Sequence, residues 1–162
     1  MQFNYKKHLS PYLQYKWKFN DFWVCDFNSV SDTSFIVHFK PSYRSLLPIT
    51  EFIYNKKKGF AVSAIVSTRL AYIASIIAVG KLLNKPKKDG EVITSEFQMN
   101  CDKPIFYKSS SVIKVSIDIE ILKQTDKYDL LECKFKIGGD SQHHGMTKLY
   151  YCKPNLKEFS YL

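Results

Sequence analysis

The chain predicts an α+β domain in which an antiparallel sheet curls around one long helix. Three observations carry that expectation: an apolar run between Gly59 and Leu83, strict alternation of apolar and polar residues in two segments after it, and aromatic, β-branched segments before it. A sheet buries one face and a helix one stripe, and packing each on the other is among the few stable ways to do both.

The run GFAVSAIVSTRLAYIASIIAVGKLL, residues 59–83, reads as the helix. It is long enough to cross a bilayer. Against a membrane span stand Arg69 in its middle, the hydroxyls of Ser63, Ser67, Thr68 and Ser75, and the lack of a second such run. An arginine at the bilayer centre costs about 2.5–3.5 kcal/mol. On a helical period Ala64, Ser67, Thr68, Ala71, Ala74, Ser75 and Ala78 form a stripe of small side chains, with Ile65, Leu70, Ile73, Ile76 and Ile77 beside it. Small residues let a backbone come close, so the expectation is a helix pressed into a curved sheet.

The segment SVIKVSIDIEIL sends Ile113, Val115, Ile117, Ile119 and Ile121 to one face and Lys114, Ser116, Asp118 and Glu120 to the other. After the turn QTDKYD, LLECKFKI puts Leu131, Cys133, Phe135 and Ile137 inward. HHGMTKLYYCK follows a Gly138, Gly139, Asp140 turn, and EVITSEFQMN precedes the set, so four strands in meander are expected after the helix. YLQYKWKF, DFWVCDF and SFIVHF read as strands before it. Pro86 to Gly90 link the helix to the next strand, and Pro41, Pro48 and Asn55 punctuate its approach.

With 162 residues the chain has the size of one domain, 1–162, and its 45% apolar and 15% aromatic content excludes a disordered chain. Lys and Arg outnumber Asp and Glu by 24 to 15, giving +9, a charge that attracts nucleic acid, anionic lipid or an acidic or phosphorylated carrier. Trp17, Phe19, Phe22, Trp23 and Phe27 alternate with polar residues as strands do, so core and interface are expected of them rather than a platform for nucleic acid. Cys25, Cys101, Cys133 and Cys152 form no CxxC pair, and MQFNYKKHLSPYLQ lacks a signal-peptide run, so reduced thiols in the cytoplasm are expected. No metal site is expected, because His143 and His144 are adjacent and neighbouring side chains in a strand diverge.

A sheet curled around a single helix is the hotdog architecture, and SEFQMNCDKPIFYKSSSVIKVSIDIEI resembles the strands of hotdog acyl-thioester enzymes, 3-hydroxyacyl carrier-protein dehydratases above all. Phe97, Lys103, Pro104 and Ile105 carry that match, and GGDSQHHGMTKLYYC is similar to the family's last turn and strand. The resemblance covers roughly residues 59–153. It implies an acyl-thioester-binding protein acting on acyl-CoA or acyl carrier protein, a homodimer, and no cofactor. The dehydratases carry a histidine before the helix and a carboxylate on it. Here ITEFIYNKKKG lacks the histidine and the helix lacks Asp and Glu.

The resemblance therefore favours a thioesterase, a hydrolase, over a dehydratase-like lyase of fatty-acid or polyketide synthesis, with a non-catalytic acyl- or partner-binding module as the other class. In the thioesterase reading, amides at the Gly59 end of the helix polarise the thioester carbonyl while Glu51, Tyr54 or Asn55 positions water. Lysines around 56–58, Lys57 among them, and around 85–88 would meet phosphates or an acidic carrier. Ser67 and Thr68 line the site or simply pack, with hydroxyls bonded to the preceding helical turn. Arg69 either pairs with an acid or clamps a ligand carboxylate or phosphate. Tyr72, one turn on, shares its face.

Overall fold

A computed structural model of the chain describes residues 24–40, 54–55, 59–85, 89–108, 111–139 and 142–154. The elements are strands β1 (Val24–Ser29), β2 (Ser34–Phe39), β3 (Tyr54–Asn55) and β4 (Gly59–Val62), helix α1 (Ala64–Leu82), then β5 (Glu91–Cys101), β6 (Ile105–Tyr107), β7 (Ile113–Gln124), β8 (Tyr128–Ile137) and β9 (His143–Cys152). Six of the strands form one antiparallel sheet in the order β1-β2-β7-β8-β9-β5, and β3-β4-β6 form a small second one. The predicted YLQYKWKF strand, with Trp17 and Phe19, lies outside the described residues, as do Phe22 and Trp23 at the start of DFWVCDF.

Alternation builds the large sheet. Phe35, Val37, Ile113, Val115, Ile117, Leu131, Cys133, Phe135, Ile137, Leu149 and Tyr151 turn to the helix and are buried. Their neighbours in sequence face outward, where Glu132 and Lys148 stand opposite each other in register and Lys148 bonds Glu96 at 2.8 Å. Phe97 stacks on Phe135 with centroids 5.4 Å apart, which fastens β5 to the core.

Five of the seven residues of the small-residue stripe pack as expected; Ala64, at the exposed first turn, and the half-buried Thr68 do not face the core. α1 packs against β2, β5, β7 and β8, and Ser67, Ala71, Ala74, Ser75 and Ala78 have no exposed surface. Side chains of this size let the helix axis approach the sheet while Leu70 and Ile77 fill the remaining volume. α1 is long and apolar enough to cross a membrane, but 67% of its most apolar window is buried inside the fold. It is the core helix of the domain.

Three expectations are corrected. The helix begins at Ala64 rather than at Gly59, because Gly59–Val62 pairs with β3 and β6 as a strand. The four strands after the helix are not a single meander: β7, β8 and β9 are, but β5 lies on the far side of β9. Ile121 is 40% exposed rather than inward, since a bulge between Ile121 and Lys123 breaks the alternation there.

Candidate functional site at the head of the helix

Ser63 caps α1 from an extended conformation (ψ 161°), its hydroxyl accepting the Val66 N–H at 3.3 Å. The first helical turn leaves the Ala64 and Ile65 N–H groups without helical acceptors, and both residues are exposed, Ile65 to 66%. The positive end of the helix dipole therefore opens at this surface, a favourable place for a developing negative charge. No acidic residue occupies the first turn.

One turn further in, Ser67 Oγ lies 2.7 Å from His143 Nδ1. Ser67 is fully buried and His143 is 3% exposed. β9 brings the imidazole there by parity: His143, Thr147, Leu149 and Tyr151 share the helix-facing side of the strand. Burial pushes the His143 pKa below its ordinary value; contact with the Lys103 backbone and the charge of Asp102 act in the opposite direction and are weaker. The backbone contact favours the protonated ring, the effect of a carbonyl acceptor. In the neutral tautomer protonated at Nε2, the ring offers the Nδ1 lone pair to Ser67, whose O–H then donates.

The turn beside the imidazole is fastened to the residue before it. The amides of Asp102 and Lys103 donate to the Gln142 carbonyl at 2.9 and 3.3 Å, and Gln142 Nε2 donates to the Pro104 carbonyl at 3.2 Å. His144 points the other way, to Asp102 at 3.3 Å and Asn100 at 3.5 Å, so the two histidines diverge as a strand requires.

Of the residues singled out from sequence, Ser67 is brought to a second reactive group, His143. Gly59 is not at the helix N-terminus. It pairs with Asn55 in β3 at a φ of +97°, and a Cβ there would sit 2.3 Å from the Tyr107 carbonyl oxygen, so the amides for an oxyanion are those of Ala64 and Ile65. Tyr54 and Asn55 form β3, opposite Phe60 and Gly59. Glu51 and Lys57 lie outside the described residues. Thr68 Oγ1 donates to the Ala64 carbonyl at 2.9 Å, the packing role foreseen as its alternative. Tyr72 donates to the Val92 carbonyl at 3.3 Å, tying α1 to β5. Arg69 is half-buried and is not a free cation. Lys85 is held by Asp89 at 3.0 Å. The sequence argument about His143 and His144 concerns metal binding alone, and the signal it leaves unused is the parity His143 shares with Leu149 and Tyr151, which places its side chain inward.

No family profile matches the chain, and no curated protein matches it. Solved structures do. A protein from Shewanella oneidensis provisionally named a thioesterase superposes with a TM-score of 0.55 at 12% identity, covering 92% of this chain and 96% of its own. A thioesterase from Haemophilus influenzae gives 0.53 at 10% identity over 82% and 81% of the two chains. AziG of S. sahachiroi gives 0.52 at 8% identity over 82% and 93%. At such identities the likeness is one of fold, and it agrees with the helix, the wrapping sheet and the residues that pack them: this chain is a hotdog-fold protein.

Proposed function

We propose that this hotdog domain binds acyl thioesters of coenzyme A or acyl carrier protein and hydrolyses them. The observation that carries the reading is the first turn of α1, where the exposed residues Ala64 and Ile65 have N–H groups without helical acceptors, three and two positions before the Ser67 that meets His143. Thioester hydrolysis builds negative charge on the carbonyl oxygen, and fixed N–H donors at a helix terminus stabilise that charge. Glu51, Tyr54 and Asn55, ahead of β4, position the hydrolytic water. The +9 charge, with Lys57 and its neighbours, draws the phosphates of the carrier. The fold neighbours from H. influenzae and S. oneidensis, both named thioesterases, support the reading.

A dehydratase-like role has less support, since the described helix carries no carboxylate. A second reading, an acyl- or partner-binding module without turnover, draws on the complete burial of Ser67. Four free thiols fit a reducing, cytoplasmic setting. A homodimer forms through β5, the edge strand on which Ile93 is 40% exposed; sedimentation showing a monomer at every concentration would remove that element alone.

The test is to incubate the protein with acyl-CoAs of graded chain length, following free thiol and thermal stability together. Thiol release over one range of lengths is the expected result. Stabilisation without release selects the binding module, and the absence of both release and stabilisation overturns the reading.

A further inference from the structure

We propose that Ser67 is a covalent nucleophile and His143 its general base, so that hydrolysis runs through an acyl-enzyme; this rests on the thioester reading above. The pair has the two marks of such a unit: a hydroxyl at 2.7 Å from an imidazole nitrogen, and an imidazole in hydrogen-bond contact with a third group, the Lys103 backbone. The base is oriented by that backbone contact, and it stands beside the charge of Asp102. A serine needed only for packing would satisfy its hydroxyl within the helix, as Ser75 does on the Ala71 carbonyl at 2.9 Å. Ser67 turns its hydroxyl across to the sheet instead.

The chemistry balances. Ser67 Oγ forms a bond to the acyl carbon while its proton passes to His143 Nδ1. The C–S bond breaks and the leaving thiolate takes that proton, departing as a thiol. Water then attacks the acyl carbon, gives a proton to Nδ1, and the ester C–O bond breaks. Oγ recovers the proton as the carboxylic acid leaves. Both tetrahedral intermediates place their oxyanion toward the head of α1, where Ala64 and Ile65 donate.

Ser67 has no exposed surface, so the acyl carbon reaches it only when its cover moves. The turn Asp102–Pro104 lies against the imidazole and is held to Gln142 by two backbone bonds and one side-chain bond. Lifting this turn admits the substrate, and replacing Gln142 by Ala removes the side-chain bond while leaving Ser67 and His143 in place.

The experiment treats the full chain with 4-nitrophenyl butyrate and, separately, with the acyl-CoA panel, reading intact mass, peptide mass and thiol release. An acyl adduct on Ser67 is expected, absent from Ser67→Ala and His143→Gln, with thiol release falling by a factor of about 10²–10⁴ in either variant. Gln142→Ala is expected to acylate faster than the wild type. Melting curves establish that each variant is folded, and the wild-type adduct stands as evidence even where a variant is not. Thiol release that persists in folded Ser67→Ala, or an adduct mapped elsewhere, overturns the nucleophile and leaves the thioester reading intact. An adduct on Ser67 with no release from any acyl-CoA or acyl carrier protein keeps the nucleophile and overturns the thioester reading. Neither adduct nor release overturns both.

Discussion

Ser67 and His143 are separated by 76 residues in sequence, and their side chains meet at 2.7 Å between the first turns of the core helix and the start of β9. The bond joins helix to sheet within the buried core. Removing the hydroxyl leaves a buried imidazole nitrogen without its donor, a loss of about 1–3 kcal/mol. Ser67→Ala should therefore lower the urea midpoint, and an unchanged midpoint would show that the bond adds nothing to the fold.

The same histidine sets an acid limit on stability. Its folded pKa lies below the ordinary 6.5 because burial disfavours the charged ring, so the unfolded chain takes up the proton first. The contribution is complete above the unfolded value and is lost as the pH falls through it toward the folded one. Chemical denaturation between pH 8 and pH 5 should show stability declining on the acid side, with a shallower decline in His143→Gln. Equal slopes in the two proteins would assign the acid sensitivity to other groups.

Thiol reactivity should separate Cys25 and Cys101 from Cys133 by burial. Cys25 and Cys101 are exposed, while Cys133 is fully buried and its pKa is pushed up to about 12 by desolvation. Alkylation of the native protein at mildly alkaline pH should label Cys25 and Cys101 and spare Cys133 until the fold opens. Labelling of Cys133 at the rate of Cys101 would mean that β8 is not packed on α1.

Two glycines should respond differently to alanine. At Gly59 the backbone sits at φ +97° and the added Cβ would meet the Tyr107 carbonyl oxygen, so Gly59→Ala both strains the chain and separates β4 from β6. A loss above about 1 kcal/mol is expected, read as a fall in Tm of about 2–4 °C per kcal/mol. Gly139→Ala meets nothing within 4 Å and should melt within experimental error of the wild type.

Bulk in the small-residue stripe should be punished and bulk outside it ignored. Ala74 has no exposed surface against the sheet, so Ala74→Leu overpacks the contact and should cost about 1–3 kcal/mol. Ile65 on the same helix is 66% exposed, and Ile65→Ser should leave the melting temperature nearly unchanged. Similar losses at both positions would contradict the placement of α1.

The wrapping of the helix was legible in sequence because it rests on periodicity alone. Ile113 to Ile119 and Leu131 to Ile137 alternate without interruption, and each falls on the buried face as read. The head of the helix was not legible, because GFAV suits a strand as well as a helix, and the choice is made by pairing with Asn55 and Tyr107, at positions far apart in the chain. The same limit hid half of the candidate site. Ser67 was visible as a small polar residue in an apolar helix, but its partner stands in another element, and sequence spacing carries no record of which strand ends beside which helical turn. Ile121 failed for a local reason, a bulge that no residue type announces.

The position of β5 bears on how the protein is made. β5, residues 91–101, pairs with β9, residues 143–152, and with no other described strand. As the chain leaves the ribosome, the core helix and β5 are complete well before β9 exists, and an eleven-residue strand waits with its hydrogen-bonding edge empty. Closure of the sheet thus waits until β9 has been made, and a ribosome stalled between β8 and β9 would release a species with α1 partly uncovered and β5 free to join strands from other chains.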